Sequence, residues 1–234
     1  MRVFDENGIH FYHQDCMLAM QEFPDKYFDL AIVDPVYGDV TGNGYTTSAH
    51  DGEAHHIGTG LGMQKAYHRA MWEQPKTPPE YFKELFRVSK NQIIWGANFF
   101  TDSLPPSQGW VVWDKQHPEG LKFSDSELAY TSFNMRQRIF RFMWNGMLQG
   151  DMKNKEKRIH VTQKPVALYR WLLENYAQKG DKILDTHVGS ASSLVACYDM
   201  GFEAWGYEID EVYYGLACER MESEMAQIRM DICR

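Results

Sequence analysis

A carboxylate, a proline and a phenol ring stand together directly after a short apolar run. The run covers residues 28–33, and Asp34, Pro35 and Tyr37 follow it. Such a run predicts a buried strand, and a proline cannot continue the pairing of a central strand. In open α/β sheets, ligands bind at the carboxyl ends of the strands. A hydrogen-bond acceptor beside an aromatic ring there suits the binding of a planar base that carries an amino group.

A second strand-to-turn pattern lies near the other end of the chain. Residues 182–184 predict a strand, Asp185 stands at its tip, and Gly189 begins a run of small residues that opens a helix. Glycine lets a ligand approach the main chain closely. Glu208 comes nineteen residues after Gly189, where an acidic side chain can accept hydrogen bonds from both hydroxyls of a ribose. Because a G-x-G-x-x-G pattern is absent, the turn favours a nucleoside without phosphates. The alternative is a helix-packing glycine and a surface glutamate.

Strands and helices alternate around these two patterns, which favours a mainly parallel sheet with helices on both faces. The predicted strands are 9–13, 28–33, 92–95, 110–113, 127–131, 182–184 and 203–207. The predicted helices are 17–23, 79–88, 164–178 with Gly180 as its stop, 191–200, and 210–230 with Asp210 as its N-cap. Segment 38–77 predicts a long glycine-rich loop, and 133–160 has no clear period.

Length and composition are typical of one α/β domain with a sizeable core, because the chain has 234 residues, 44% of them hydrophobic. The four cysteines show no C-x-x-C spacing, so we expect free thiols, a cytoplasmic location and no metal site. The adjacent His55 and His56, with Glu53 nearby, do not change this expectation, since neighbouring side chains point apart. The polar N-terminus is unlike a signal peptide, and no apolar stretch approaches the roughly 20 residues of a membrane span.

A net charge of −8 argues at first against a nucleic-acid partner. Between residues 134 and 164, however, eight basic residues stand against two acidic ones. Phe133, Phe140, Phe142 and Trp144 lie among them, and arginines mixed with aromatic residues suit phosphate contact and the reading of base edges. The alternatives are a solvated charged face and a strand whose aromatic residues point inward while its polar residues face water, and the second can hold together with nucleic-acid contact.

These motifs together resemble the amino-group DNA methyltransferases that use S-adenosylmethionine, in the motif order called the beta class. The family's catalytic tetrapeptide, (Asp/Asn/Ser)-Pro-Pro-(Tyr/Phe), is similar to 34–37 at three of four positions. Its cofactor turn, Asp-Pro-Phe-x-Gly-Ser-Gly, resembles 185–191, and its Thr-Gln-Lys-Pro segment is present at 162–165. Residues 14–16 resemble the family's Gly-Asp-Cys. The resemblance covers nearly the whole chain.

The chain departs from the family pattern at five positions: Val36, Val161, Thr186, His187 and Ala191. None of these changes removes a group that the resemblance assigns to chemistry. Valine at 36 puts the rate of the reaction in question rather than its type, because the loop that holds Tyr37 is looser without a proline there. The three changes in the cofactor turn put the tightness of cofactor binding in question.

The resemblance implies one domain over 1–234 with a Rossmann-like methyltransferase fold in circularly permuted order. It implies methyl transfer from S-adenosylmethionine to the exocyclic amine of adenine (N6) in DNA, after the base leaves the duplex. Asp34 and the carbonyl of Pro35 would accept the two amine N–H groups, and Tyr37 would stack on the base. Loop 38–77 would close over the site, and segment 115–160 would recognise the target.

The resemblance also implies two sets of binding residues and the partners. The predicted cofactor contacts are Asp15, Cys16, Asp34, Thr162, Lys164, Asp185, His187, Gly189, Ser190 and Glu208. The predicted nucleic-acid contacts are Lys115, Arg136, Arg138, Arg141, Lys153, Lys155, Lys157 and Arg158. Double-stranded DNA is the expected partner, a membrane is not, and a second copy of the chain stays open.

Four alternatives remain at this point. The amino group of cytosine (N4) presents the same chemistry, although Asp34 favours adenine in this family. RNA is a second substrate, since an extruded base looks alike in either polymer. Protein glutamine methyltransferases use a related tetrapeptide, but with asparagine first and the motifs in reverse order. The fourth alternative is a catalytically inert DNA-binding subunit of a modification system.

Overall fold

The apolar run at Phe28–Val33 forms the predicted strand, and it lies inside a large sheet. The computed structural model describes residues 2–38, 75–117, 124–145, 148–160 and 162–226. The strands in these ranges are β1 (Val3–Glu6), β2 (Ile9–His13), β3 (Phe28–Val33), β4 (Ser89–Trp95), β5 (Trp110–Asp114), β6 (Ser126–Thr131), β7 (Arg138–Arg141), β8 (Trp144–Asn145), β9 (Leu148–Gln149), β10 (Lys182–Asp185) and β11 (Glu203–Glu208). The helices are α1 (Cys16–Gln21), α2 (Pro79–Val88), α3 (Val166–Tyr176), α4 (Ser192–Met200) and α5 (Glu211–Ala226).

Nine strands form one sheet in the order β1-β2-β11-β10-β3-β4-β6-β5-β7, and β8 pairs with β9 separately. The five strands β2, β11, β10, β3 and β4 are parallel to one another. Their carboxyl ends therefore meet at one edge of the sheet. Asp34, Asp185 and Glu208 all lie at that edge, as the sequence predicts.

The five helices cover both faces of the sheet, which confirms the predicted architecture. On β3, Leu30 and Ile32 belong to the core under α3, α4 and α5, whereas Ala31 and Val33 belong to the core with α1 and α2. Successive strand side chains point to opposite faces. A parallel strand with both faces covered must therefore be apolar throughout, which explains the run in the sequence.

The helix ends differ from prediction where proline and local backbone geometry decide them. α3 begins at Val166 rather than at 164, because Pro165 is extended (φ −70°, ψ 146°) and acts as the N-cap. It ends at Tyr176, and Gly180, the predicted stop, lies in the following turn. α4 ends at Gly201, whose φ of 73° is left-handed, as a C-cap glycine should be. Asp210 accepts hydrogen bonds from the backbone N–H groups of Val212 and Tyr213 (2.8 and 3.0 Å), as the predicted N-cap of the last helix.

Four strands were absent from the sequence prediction: β1, β7 and the short pair β8 and β9. β1 pairs with β2 as an antiparallel edge strand. β7 pairs with β5 inside the segment that showed no period. The period is hidden there because β7 is an edge strand of four residues, of which three are exposed and only Phe140 is half-buried.

Several predictions fall on residues outside the described ranges: most of loop 38–77, including Glu53, His55 and His56, and the end of the last predicted helix. Within the described ranges, Cys16, Cys197 and Cys218 are free thiols. No three histidine, cysteine or acidic side chains cluster as metal ligands in the part of the chain that the structure describes. None of the helices described above combines the length and the apolar character that crossing a bilayer requires.

Candidate active site

The side chains of Asp34 and Tyr37 contact each other directly. The Tyr37 hydroxyl donates a hydrogen bond to Asp34 Oδ1. The Tyr37 ring stacks on Phe99, with ring centroids 5.1 Å apart and an angle of 26° between the planes. Burial and the charge of Asp34 raise the pKa of Tyr37, so the hydroxyl stays protonated and keeps donating. The pair forms one rigid unit of acceptor and ring.

Gly96 lies directly under the Tyr37 ring. It follows β4 with a left-handed φ of 64°, and a Cβ atom at this position would overlap atoms of the Tyr37 ring. Only glycine combines this backbone angle with this close approach. The sequence prediction missed Gly96 and Phe99. The available signal was a glycine at the end of a strand adjacent to β3, followed by aromatic residues.

Lys164 joins the Asp34 carboxylate to a second acidic residue. Its Nζ donates to Asp34 Oδ2 and lies 3.1 Å from Glu127 Oε2. Its side chain is only 3% exposed. Burial lowers the pKa of Lys164, but Asp34 and Glu127 outweigh burial and raise it, so the lysine is a cation. The resemblance predicted Lys164 at the cofactor; in the structure its contacts are with Asp34 and Glu127.

Glu127 has a second cationic partner, Lys115. The Lys115 Nζ lies 2.6 Å from Glu127 Oε1, and the Lys115 side chain is 15% exposed. Burial favours the neutral form of Glu127, but Lys164 and Lys115 together hold its pKa well below the usual range. Lys115 was predicted to contact nucleic acid; in the structure its amino group is paired with Glu127 and its side chain is largely shielded from solvent.

The turn after β10 encloses the carboxylate of Asp185. Asp185 Oδ1 accepts from the backbone N–H of His187 at 2.9 Å, and Oδ2 accepts from the Ser193 hydroxyl. Burial raises the pKa of Asp185 to about 7; the two hydrogen bonds oppose this rise, and the negative charges of Asp34 and Glu208 add to it. Such a group would be held ionised most readily by a cationic ligand.

His187 and Thr186 pack on α2 rather than facing open solvent. Thr186 Oγ1 lies 2.5 Å from the Tyr81 hydroxyl and 2.9 Å from His187 Nδ1. The His187 ring meets the Tyr81 ring edge to face at 5.4 Å. Burial lowers the pKa of His187 to about 4, so it is neutral at pH 7. These contacts secure the turn at two positions where the chain departs from the family pattern.

Glu208 connects the end of β11 to the glycine of the cofactor turn. Its Oε2 accepts from Gly189 N at 2.8 Å, and its Oε1 accepts from Asp210 N at 2.9 Å. The residue is buried, and burial raises its pKa. The Glu208 carbonyl also accepts from Gln14 N at 3.1 Å. Asp15 then caps α1, accepting from Met17 N at 2.7 Å, so Asp15 and Cys16 begin a helix beside Glu208.

His160 faces the same turn, and the sequence prediction did not include it. Its Nδ1 accepts from Thr162 N at 3.3 Å and lies 3.1 Å from Thr162 Oγ1, which leaves the proton on Nε2. That Nε2 is buried with no hydrogen-bond partner among the described residues. It lies 3.5 Å from the position that a Cβ on Gly189 would occupy. A buried unpaired donor indicates a place for an acceptor that the protein itself does not supply.

The two motifs meet at one edge, because their strands are direct neighbours. β10 pairs with β3, with Leu184 opposite Ala31. The negative charge of Asp34 also acts on the pKa of Asp185, His187 and His160. The acceptor motif and the cofactor turn therefore share one electrostatic environment.

The predicted nucleic-acid residues fall into two groups: six that are exposed to solvent, and two, Lys115 and Arg158, whose side chains contact other residues of the protein. Those exposed to solvent are Arg136, Arg138, Arg141, Lys153, Lys155 and Lys157. Arg158 is half-buried, with its guanidinium 5.9 Å from the centre of the Trp144 ring. Phe140 and Phe142 pack against the core. The aromatic side chains thus point inward while most basic side chains face solvent, an arrangement compatible with the predicted nucleic-acid contact.

Residues 65–219 match the N6/N4 methyltransferase family, which is described as DNA methylase. This match covers more than half of the chain, and the chain belongs to the DNA methylase family. Among its relatives is the type II methyltransferase M.HpaI of Haemophilus parainfluenzae, which is 37% identical over 162 residues, or 62% of this chain and 51% of that protein. The chain spans about half the length of the relatives it matches.

Solved structures share the fold at low sequence identity. The M1.HpyAVI–SAM complex has a TM-score of 0.54 at 17% identity, covering 91% of this chain and 99% of that one. The PvuII DNA methyltransferase, named as cytosine-N4-specific, has a TM-score of 0.56 at 8% identity, covering 92% and 90%. These similarities confirm the predicted Rossmann-like fold.

Proposed function

We propose that this chain transfers the methyl group of S-adenosylmethionine to the exocyclic amino group of adenine (N6) in DNA. The observation that carries the proposal is the meeting of Asp34 and Tyr37 with Asp185 and Glu208 at the ends of adjacent parallel strands. A donor and an acceptor must be held together for transfer, and holding them in the right orientation removes much of the barrier.

The residues of the cofactor turn fit S-adenosylmethionine by their chemistry. Buried carboxylates suit hydroxyl and ammonium groups, and Glu208 would hold the ribose while Asp185 would hold the methionine amino group. The unpaired Nε2–H of His160 suits an anionic acceptor such as a carboxylate. Asp15, Cys16, Thr162, His187, Gly189 and Ser190 complete the proposed cofactor contacts. When bound, the cofactor supplies a methyl group on a sulfonium, which is already a strong electrophile.

The catalytic residues act on the amine rather than on the methyl group. An exocyclic amine is a weak nucleophile, because its lone pair is delocalised into the ring. Hydrogen bonds accepted by Asp34 and by the Pro35 carbonyl would draw the nitrogen toward tetrahedral geometry and free that lone pair. Tyr37 and Lys164 already donate to Asp34, but an ionised carboxylate has about four acceptor sites, so sites remain for the amine.

Tyr37 and the exposed basic residues would receive the DNA. Extruding a base costs a few kcal/mol, and stacking on an aromatic ring offsets about 1–3 kcal/mol. The six exposed basic residues would contact phosphates, which position a protein on DNA without reading its sequence. Recognition by segment 115–160, closure of loop 38–77, a second copy of the chain and a cytoplasmic location are further parts of this proposal.

Cytosine N4 is the second candidate, because one structural relative carries that specificity in its name and the two bases present the same amine. An inert DNA-binding subunit is the candidate of another class.

The deciding experiment is methyl transfer from tritiated S-adenosylmethionine to plasmid DNA, followed by digestion to nucleosides. Label in N6-methyl-2′-deoxyadenosine supports the proposal, and label in N4-methyl-2′-deoxycytidine supports the second candidate. Binding of DNA without incorporation of label contradicts both and supports the inert subunit. Plasmid DNA from a methylation-deficient host serves as substrate, and S-adenosylhomocysteine as the inhibition control.

A further inference from the structure

Four side chains of alternating charge extend from the Asp34 carboxylate into the antiparallel part of the sheet. In order they are Asp34, Lys164, Glu127 and Lys115. Glu127 lies on β6, and Lys115 directly follows β5. Two paired strands thus anchor the far end of the chain of charges, with Trp113 opposite Glu127 in the register. Strands hold functional groups more rigidly than loops do.

The surroundings of Lys164 leave it little freedom. Its Nζ lies 5.5 Å from the centre of the Trp95 ring, and the Lys115 Nζ lies 5.3 Å from the centre of the Trp113 ring. Each cation is thus held between a carboxylate and an aromatic ring, which also attracts cations. Without Glu127, the buried lysine would keep Asp34 as its one acidic partner among the described residues.

A buried ion pair of this kind is weak evidence for a role in stability. Desolvation of the charges can cost as much as their attraction returns, so apolar residues would often serve stability as well. Here the arrangement has another consequence. The ion pair of Lys164 with Glu127 holds the Asp34 carboxylate in place, and acceptor sites remain on the Asp34 oxygens. We propose that Glu127 is a positioning residue that acts through Lys164 to hold Asp34 in place for the target amine, with Lys115 holding Glu127 in turn. This inference rests on the proposed function.

The main test is Glu127→Gln, which removes the charge but keeps the volume. Misplacement of a reacting group by about 1 Å costs on the order of 100-fold in rate, so kcat should fall about 10- to 100-fold. The dissociation constant of S-adenosylmethionine, measured by calorimetry, should change far less. A purely structural role would instead lower the melting temperature and leave kcat of the folded protein unchanged.

The pH profile gives a readout that a structural role would not move. Burial lowers the pKa of Lys164, and two carboxylates oppose burial. Removing one of them must lower that pKa, so the alkaline limb of kcat should shift to lower pH in Glu127→Gln. The titratable groups that interact with this cluster are Asp34, Tyr37, Lys115, Glu127, His160 and Tyr169. Those that interact with its Asp34 end also include Tyr81, Asp185 and His187. Among these, only Glu127 is changed by the substitution.

A spectroscopic measurement needs no activity at all. In protein labelled with 13C at lysine Cε, the Lys164 signal is assigned by its loss in Lys164→Gln. It should keep the chemical shift of the charged form to higher pH in the wild type than in Glu127→Gln. Lys115→Met, the second variant, removes a neighbouring positive charge, so it should move the Lys164 titration slightly to higher pH while kcat falls less than in Glu127→Gln. It keeps the test informative if Glu127→Gln does not fold.

Asp29→Asn is the matched control, because it removes a carboxylate at the opposite edge of the sheet. Asp29 pairs with Lys90 at 2.6 Å and accepts from Lys182 N at 2.9 Å. Its loss should affect the melting temperature and neither the pH profile nor the Lys164 signal.

The inference is overturned if Glu127→Gln keeps the wild-type kcat, pH profile and Lys164 titration. If instead the wild-type chain methylates no DNA, the proposed function fails. In that case the lysine titrations still decide whether Glu127 holds Lys164.

Discussion

The parallel and antiparallel parts of the sheet carry polar residues in opposite ways. At the ends of the parallel strands the carboxylates of Asp185 and Glu208 are 3% and 5% exposed. Beyond the antiparallel strands β5 and β6, the arginines of β7, which pairs in parallel with β5, and the lysines of segment 148–157 face solvent. A buried charge is costly and persists only with partners, whereas an exposed charge costs little.

This difference suits two tasks: the buried carboxylates can bind one ligand in a fixed orientation, and the exposed cations can attract a polyanion by charge. The buried carboxylates have fixed partners and fixed positions, which is what the binding of one particular ligand requires. The exposed cations face solvent, with Arg138 and Arg141 also contacting Asn175 and Asp114, and they suit a polyanion that is held by its charge. The ion pairs of Lys115, Glu127 and Lys164 connect the two parts.

Asp34→Ala should give the largest loss. Removing the acceptor carboxylate leaves the amine without activation and leaves buried Lys164 with Glu127 as its acidic partner among the described residues. We expect transfer to fall by about 10³-fold or more, within the range that positioned acid–base and electrostatic groups contribute. Cofactor affinity, measured by calorimetry, should survive. Near-wild-type transfer by this variant would remove Asp34 from the catalytic role.

Gly96→Ala should misplace Tyr37 without touching any charged group. The new methyl group would overlap the Tyr37 ring, and the left-handed backbone angle adds strain. We expect a loss of about 10- to 100-fold in kcat, by analogy with other displacements of about 1 Å.

Gly215→Ala in α5 is the matched control for Gly96→Ala, because a Cβ there meets nothing within 4 Å. Alanine should stabilise this helix by roughly 0.8–1 kcal/mol and leave kcat unchanged. Equal effects of the two substitutions on kcat would show that the position under the Tyr37 ring has no special importance.

Affinity for S-adenosylmethionine should depend on pH through Asp185. Its pKa is about 7, so the carboxylate that attracts the methionine amino group is mostly protonated at pH 6 and mostly ionised at pH 8. We expect affinity to rise about tenfold over this interval. Isothermal titration calorimetry at both pH values tests this, and in Asp185→Asn the rise should disappear.

The stability of the cofactor-free protein should respond to pH in the opposite sense. Because the folded-state pKa of Asp185 is raised above its unfolded value, folding favours the protonated form. This contribution is fully present below about pH 4 and is lost as the pH rises toward 7. Between about pH 4 and pH 7 the melting temperature of the wild type should therefore fall relative to that of Asp185→Asn. If the gap stays constant, Asp185 does not titrate as described.

The smallest single effect should come from the exposed cations. Arg136→Ala removes one phosphate contact, so DNA affinity should fall only a few-fold and the salt dependence of binding should decrease by about one. Lys115→Ala should leave that salt dependence unchanged, because Lys115 is paired internally. Fluorescence anisotropy over a salt series distinguishes the two variants. An equal decrease in the salt dependence of DNA affinity in both would show that Lys115 contacts the nucleic acid.

The parallel part of the sheet was readable from the sequence because its signals are local. A strand buried on both faces is apolar throughout, as at 28–33, and residues 182–185 and 203–208 follow the same logic. The residue that directly follows such an apolar run is then predicted to lie at the carboxyl end of the strand. This is why Asp34, Asp185 and Glu208 could be identified without coordinates.

The partners of those residues could not be read in the same way, because they depend on which distant strands become neighbours. Glu127 and Lys164 are 37 positions apart in the chain and meet only through the order of the strands. His160 faces Gly189 from a segment without regular period. Gly96 is needed only because Tyr37 folds back over it. Lys115 looked like a surface cation, since nothing local in the sequence indicates an internal glutamate.

A crystal structure with sinefungin, a non-reactive analogue of S-adenosylmethionine, tests the central claim most directly. We expect the ribose on Glu208 and the amino-acid end beside Asp185 and His160. The group that replaces the methyl should point at the Asp34 carboxylate with no protein atom between them. An analogue bound elsewhere, or separated from Asp34 by protein, would contradict the account.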